Sequence, residues 1–306
     1  MTLFQVGRVF GLAAIAISLV LTAARVEAQL NVFATVPEWG ALVEELGGAK
    51  VKVYVATNAL QDPHRVQARP SLLARARSAQ LLLATGADLE IGWLPLLQRD
   101  AGNPKILPGA PGMFEASQYV QLLGVPASVD RSMGDVHAVG NPHIQTDPRN
   151  FLPIARALTE RLILLDSINA SFYQDRLRSF IFKWEASIDR WTTSAQPLRG
   201  QKIWVQHDGF LYLCDWLGLV QVGTLESSPG VDPSVANLSG VLQRQSQLKG
   251  RMIITSAYAG DAASKWFSEK ANVPLVVLPF TVGGNKEATT LDTFFENTVA
   301  RLLRAL

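Results

Sequence analysis

The chain has 306 residues, a hydrophobic content of 48% and a formal net charge of +2. This much apolar sequence excludes a disordered chain, and the length suits two lobes better than one. The small net charge leaves no basic excess that would favour nucleic acid or an acidic membrane surface as a partner.

The first 28 residues have the pattern of a secretory signal peptide. Arg8 provides a short basic start, residues 9–23 are almost entirely apolar, and the small-residue sequence VEA ends at Ala28. The apolar run of about 15 residues is shorter than the roughly 20 that a membrane span needs, which disfavours an anchor. We therefore expect cleavage near Ala28, a mature chain of net charge +1 and export to the periplasm of a cell with two membranes.

From residue 31 onward, β-rich runs alternate with helical patterns. Strands are predicted at 31–36, 50–57 and 81–86, and helices at 38–48, 69–80 and 87–100. Residues 101–150 are rich in Gly and Pro and are expected to be mostly loop. Alternation of this kind is typical of β-α-β units that share a parallel sheet.

The stretch from residue 150 to 191 has no glycine and no proline after Pro153. Its apolar residues recur at helical spacing, which predicts one or two helices, the second of them long. Further on, the alternation resumes, with strands predicted at 202–207, 220–225, 251–256 and 273–280, and helices near 233–247 and 261–271. The lone cysteine, Cys214, lies in an apolar run and is expected to be buried and inert.

These patterns predict an α/β protein with two Rossmann-like lobes, each a mostly parallel sheet with flanking helices, joined by one long linking helix. The expected boundaries are a signal peptide at 1–28, an N-terminal lobe at 29–165, the linking helix at 166–195 and a C-terminal lobe at 196–306. A helical connector of this kind resists wide hinge motion, so any closure on a ligand should be small.

Three of the four histidines occupy similar places in this pattern. His64 and His143 follow prolines in loops, and His207 comes at the end of a predicted strand. Because ligands of open α/β sheets bind beyond the carboxyl ends of the strands, all three can face one cleft. A single histidine is more often structural, but three imidazoles together suit Zn²⁺ or Cu²⁺ better than Mn²⁺ or Mg²⁺.

Other polar residues near these histidines have several compatible roles. His137 fits a fourth ligand, a metal-capturing residue at the cleft mouth, or a solvated loop residue. Asp62 and Asp208 adjoin two of the histidines and are candidates for orienting their imidazoles. A turn-forming role for Asp62 and a helix-capping role for Asp208 fit the sequence equally well.

These segments together resemble the cluster A-I solute-binding proteins of ABC transporters, the ZnuA/TroA type that carries zinc or manganese to a membrane permease. The resemblance covers essentially the whole mature chain and rests on PEWGALVEELGG, on DPH followed by RPS, and on GNPHIQTDP, VQHDGFLYLCDWLGL and LESSPGVDPSVANLSGVLQ. It implies a non-enzymatic, monomeric receptor that carries Zn(II) as cargo and has a permease and, as a further candidate, a metallochaperone as partners. It also implies that His64, His143 and His207 are the metal ligands.

The sequence departs from this family pattern in two places. The family often supplies a carboxylate ligand after the last strand, where the aligned position here is Val282. Water, His137, Asp261 and Glu287 are the candidates for the fourth position. The histidine-rich acidic loop of many zinc receptors is also absent from the sequence, so any capture of metal by a loop would depend on His137 alone.

Three other functions compete with this interpretation. Three histidines and a water also form an open catalytic zinc site, with Asp208 or Asp135 as candidate base, but no HExxH motif is present. A receptor for an iron chelate or a corrinoid would have a wide aromatic cleft and no use for two Pro-His loops. A surface adhesin or zinc store has no positive signal, and the choice among Zn²⁺, Mn²⁺ and Cu²⁺ stays open.

Overall fold

The computed structural model describes residues 29–67, 69–127 and 137–306. The predicted signal peptide, its cleavage site at Ala28, and Asp135 lie outside the described residues. Within the described part of the chain, no helix is both long enough and apolar enough to cross a membrane.

The first lobe is built on a four-stranded parallel sheet. Its strands are β1 (Leu30–Ala34), β2 (Val51–Val55), β3 (Leu81–Ala84) and β4 (Met113–Glu115), and its helices are α1 (Pro37–Gly47), α2 (Pro70–Ser78) and α3 (Leu94–Ala101). The strand order is β2-β1-β3-β4. The chain winds in opposite directions from β1, so a crevice opens at the carboxyl ends of β1 and β3.

Two helices follow the first sheet. They are α4 (Phe151–Leu165) and α5 (Ala170–Ser194), and they confirm the prediction of two helices with the second long. At 25 residues, α5 extends roughly 37 Å. Its buried Trp184 ring lies 5.4 Å from Phe151 of α4 and 5.6 Å from Phe295 near the end of the chain, so this helix packs against both halves of the molecule.

The second lobe repeats the topology of the first. It contains β5 (Lys202–Val205), α6 (Leu211–Leu217), β6 (Val220–Thr224), α7 (Val235–Leu248), β7 (Met252–Ser256), α8 (Ala262–Ala271), β8 (Leu275–Leu278) and α9 (Leu291–Leu303). The strands are all parallel in the order β6-β5-β7-β8. A second crevice therefore lies beyond the carboxyl ends of β5 and β7.

Four elements differ from the sequence-based predictions. Helix α3 begins at Leu94 instead of residue 87, because Ala87 and Asp88 have φ values of 50° and 64° that a right-handed helix excludes. The buried Glu90 carboxylate holds this turn by accepting the backbone N–H groups of Thr85 and Gly86. Strand β4 lies inside the segment expected to be loop, and α6 and α9 were not among the predicted helices.

One hydrophobic core joins the two lobes. It runs from the first sheet through α1, α4 and α5 to the second sheet and α9. Two smaller clusters lie between the first sheet and helices α2 and α3, and between the second sheet and helices α7 and α8. Cys214, on α6, is 5% exposed and belongs to the shared core, as its apolar surroundings predicted.

Candidate metal centre

Three histidines from separate parts of the chain meet between the lobes. His64 lies in the loop after β2, His143 in the segment before α4, and His207 two residues beyond β5. Each offers one ring nitrogen, and these three atoms lie within 4.8 Å of one another. In the described part of the chain, no carboxylate or cysteine belongs to this group.

The two proline-containing loops position their histidines in the same way. In each, an Asp or Asn side chain accepts the backbone N–H of the histidine two residues later, across the intervening proline. Asp62 Oδ1 lies 3.0 Å from His64 N, and Asn141 Oδ1 lies 3.0 Å from His143 N. Turns of this type suit Asp and Asn because the side chain reaches the backbone two residues on, and proline restricts the residue before it.

Two of the imidazoles are also held by carboxylates at their Nδ1 atoms. His64 Nδ1 lies 2.9 Å from Asp62 Oδ1, and His207 Nδ1 lies 2.8 Å from Glu226 Oε2. A carboxylate only accepts here, so each Nδ1 carries the proton and each Nε2 presents a lone pair to a cation. Asp208, the predicted partner of His207, instead accepts a hydrogen bond from Gln221 Nε2 at 2.7 Å.

The remaining nitrogens have the spacing of ligands on one ion. His143 Nε2 lies 3.2 Å from His207 Nε2. Two nitrogens bound at 2.0–2.1 Å to a tetrahedral zinc ion are about 3.3 Å apart. His64 Nε2 is buried without a hydrogen-bond partner, and the His64 ring centroid lies 5.3 Å from that of His143. A buried nitrogen of this kind is satisfied when it ligates a metal ion.

The protein environment shifts the pKa values of His143 and His207 in opposite directions. Burial, reinforced by the neighbouring imidazoles, holds the pKa of His143 well below its usual range, so this ring is neutral and able to bind a metal. Burial alone would also lower the pKa of His207, but the hydrogen bond and charge of Glu226 outweigh it and raise that pKa. Burial would raise the pKa of Asp62, but its hydrogen bond with His64 outweighs burial and lowers that pKa.

The pocket at the histidines is small. Its volume is 180 Å³, and it is lined by His137, His143, His207, Pro126 and Pro229 among others. Pockets that hold drug-sized ligands measure about 300–1,000 Å³. The space therefore suits one ion and a few waters, which argues against an iron chelate or a corrinoid.

The candidates for a fourth ligand lie in different places. The His137 ring stacks on His64 with a centroid distance of 5.3 Å. Asp261 forms an ion pair with Lys265 at 2.9 Å, and Glu287 lies 3.1 Å from Arg301, and neither carboxylate belongs to the histidine group.

At the position where the family often has a carboxylate, the partly buried Val282 packs against the core. The neighbouring Phe280 ring lies 5.2 Å from His143. Among these protein candidates, His137 contacts a member of the histidine group through its ring, although its nitrogens also lie outside that group.

Sequence reasoning assigned no role to Glu226. This residue follows β6 by two positions, at the same end of the second sheet as His207. Its place just beyond a strand end is the signal that identifies it, as it was for the histidines. The spacing alone was uninformative, because 19 residues separate Glu226 from His207.

Comparison with known proteins agrees with this geometry. Residues 32–305 match the family model of ZnuA, the periplasmic component A of the zinc-uptake complex. The manganese ABC transporter substrate-binding lipoprotein PsaA of Streptococcus pneumoniae is 21% identical over 260 residues, which are 83% of this chain and 80% of PsaA. The high-affinity zinc uptake system protein ZnuA of Yersinia pestis is 25% identical over 242 residues, 75% of this chain and 72% of that protein.

The fold is similar to that of a solved structure. A crystal structure of ZnuA superposes with a TM-score of 0.74 at 20% identity, covering 90% of this chain and 99% of the other. The matched family consists of substrate-binding components of transporters, so the hydrolase alternative is wrong and the chain is not an enzyme. Since the family model spans nearly all of the described residues, the chain belongs to the ZnuA family of periplasmic metal-binding proteins of ABC transporters.

Proposed function

We propose that this protein binds one Zn(II) ion through His64, His143 and His207 and delivers it to the membrane permease of an ABC transporter. The observation that carries the proposal is the 3.2 Å separation of the His143 and His207 Nε2 atoms beside the buried, unbonded Nε2 of His64. Export would place the protein in the periplasm after cleavage near Ala28.

The donor set is the reason to prefer zinc. Imidazole nitrogen suits zinc, whereas manganese prefers carboxylate and water oxygens. Relatives of this chain are named for either metal, so Mn(II) is the second candidate. The described histidine group contains no carboxylate, which counts against manganese.

The charge of the site supports a role in transport. Three neutral imidazoles leave the full +2 charge of the ion without an anionic ligand, and Asp62 and Glu226 offset it only through the rings they bind. Such a site should release its ion more readily than one with a directly bound carboxylate. Water or His137 would complete the coordination.

The proposed organisation follows from the same topology. The N-terminal lobe would comprise residues 29–165, the linking helix 166–195 and the C-terminal lobe 196–306. We propose that the protein acts as a monomer, with the permease as its partner and a metallochaperone as a further candidate for loading the site.

Metal content and competition titration test this proposal. The mature chain, residues 29–306, is stripped of metal and titrated with Zn²⁺ against a chromophoric chelator, beside His143→Ala. We expect one tightly bound equivalent in the wild type and its loss in the variant, because His143 contributes one of the three ring nitrogens of the group.

Three further variants sharpen the result. Asp261→Ala and Glu287→Ala should retain wild-type affinity, since both carboxylates lie outside the group, and His137→Ala measures the contribution of that ring. Zinc binding that is indifferent to His143, or preference for Mn²⁺ under competition, would contradict the proposal.

A further inference from the structure

We propose that Glu226 is a positioning residue that connects the ligand His207 to a bridge across the cleft mouth, formed by Arg65 and Gly230. The inference rests on the proposed function, since it treats His207 as a metal ligand. It adds a role for three residues that lie outside the ligand set.

The Glu226 carboxylate makes two contacts through one oxygen. Its Oε2 accepts a hydrogen bond from His207 Nδ1 at 2.8 Å and from the backbone N–H of Gly230 at 2.9 Å. The Glu226 side chain is only 11% exposed. A partly desolvated carboxylate binds its donors more strongly than an exposed one, so the imidazole and the loop after β6 are fixed relative to each other.

The same loop contacts the other lobe. Arg65 Nη2 donates to the carbonyl oxygen of Gly230 at 3.0 Å, and Arg65 directly follows His64 in the chain. Gly230 has φ of +74°, a conformation that glycine adopts without strain. Its N–H and C=O groups thus face opposite partners, one beside each of two metal ligands.

These contacts form a continuous connection across the cleft. It runs from His207 through Glu226 and Gly230 to Arg65, and then along the backbone to His64. Removal of the Glu226 side chain breaks the link between the His207 imidazole and the loop. Removal of the Arg65 side chain detaches the loop from the first lobe but leaves Glu226 bonded to both His207 and Gly230. Loss of Glu226 should therefore change the tautomer of His207, whereas loss of the Arg65 side chain should not.

The first measurement reports the imidazole directly. ¹⁵N-histidine NMR of the metal-free mature chain at pH 8 should show His207 as the Nδ1–H tautomer in the wild type and in Arg65→Ala. In Glu226→Ala we expect a mixture of tautomers, because Nδ1 loses its acceptor. In Glu226→Gln the amide oxygen still accepts this proton, so the Nδ1–H tautomer should be restored.

The second measurement reports the bridge. Stopped-flow transfer of bound Zn²⁺ to a chelator should be faster in Arg65→Ala than in the wild type, because the loop no longer spans the cleft. Glu226→Ala should also bind zinc about 10–100-fold more weakly, the usual cost of losing a carboxylate that orients a ligand. Glu269→Ala, on the exposed face of α8, serves as the matched control and should match the wild type.

The outcomes separate this inference from the proposed function. An unchanged His207 tautomer in Glu226→Ala, or unchanged zinc release in Arg65→Ala, would overturn the connection. If the wild type binds no zinc, the proposed function fails. The tautomer measurement then still tests whether Glu226 positions His207, because it needs no metal.

Discussion

Glu38, on α1, is a carboxylic acid buried at the contact between the two lobes. Its side chain is 2% exposed, and its Oε2 accepts a hydrogen bond from Thr281 Oγ1 of the second lobe at 2.5 Å. Burial raises the pKa of Glu38 to about 7, the bond to Thr281 opposes the rise, and the nearby Glu90 carboxylate adds to it. At neutral pH this group is therefore partly protonated in the folded protein.

The raised pKa of Glu38 predicts how the stability of the protein depends on pH. The folded state holds a proton on Glu38 up to about pH 7, while the unfolded chain releases it near pH 4.5. Stability from this group is thus present at low pH and is lost as the pH rises through this window, by a total of about 3 kcal/mol. Glu38→Gln cannot ionise and still accepts from Thr281.

We therefore expect Glu38→Gln to be more stable relative to the wild type at pH 8 than at pH 5, as measured by chemical denaturation. Glu44→Gln, an exposed change on the same helix, is the control and should show little difference between the two pH values. An equal effect of Glu38→Gln at both pH values would rule out ionisation of Glu38 as the cause.

The site illustrates which residues can be predicted from sequence alone. His64, His143 and His207 are recognisable because each follows a strand end or lies in a stiff Pro-His loop, and the structure brings them together. Asp62 is local to its histidine, so proximity in sequence identified it. Glu226 was missed because its contact with His207 depends on the pairing of β5 with β6, and a single sequence does not specify that pairing.

The same distinction applies to the helices and strands. Elements with a clear sequence pattern of their own were predicted, whereas features that depend on tertiary contacts were not. The long α5 was predictable from its own periodicity. The late start of α3 was not, because it depends on hydrogen bonds from Thr85 and Gly86 to the buried Glu90 carboxylate. Strand β4 has only three residues and is defined by its pairing with β3, so it carries almost no pattern of its own.

Helix α5 should contribute to stability chiefly through its buried tryptophans. Trp184 is 4% exposed, donates to the Pro148 carbonyl at 2.8 Å and packs against rings from α4 and α9. Trp184→Ala should lower the free energy of unfolding by about 3–5 kcal/mol, because it opens a cavity among these rings. Urea denaturation measures this.

Two variants of the same helix serve as comparisons. Trp184→Phe keeps an aromatic ring but loses the hydrogen bond, and should cost less than Trp184→Ala. Phe182→Ala removes a ring that is 79% exposed and should change stability by no more than about 0.5 kcal/mol. A loss in Phe182→Ala as large as that in Trp184→Ala would show that burial of the helix face is not the cause.

At the scale of the whole molecule, the lobes are coupled by more than the linking helix. The shared hydrophobic core crosses between them, and polar contacts join the segment before α4 to the second lobe. The Tyr212 hydroxyl donates to the Asn141 carbonyl at 2.7 Å, the Asn141 amide donates to the Asp208 carbonyl at 2.6 Å, and Arg149 pairs with Asp215 at 2.6 Å.

These contacts predict a small change in shape on metal binding. Opening the cleft widely would expose apolar surface from the shared core, at a cost of about 25 cal/mol for each Å². Small-angle X-ray scattering of the mature chain should give the same radius of gyration, within error, with and without Zn²⁺. A clear contraction on adding zinc would show that the lobes hinge freely in spite of the shared core.

The burial of Cys214 makes this protein suitable for labelling at introduced cysteines. It is the only cysteine in the sequence, it is buried in α6, and burial raises the pKa of its thiol to about 12. The thiolate that reacts with alkylating reagents is therefore scarce and shielded at neutral pH. A pair of cysteines introduced on the two rims of the cleft would take up spin or fluorescent labels selectively, so the separation of the lobes becomes measurable in a chain that keeps its native core.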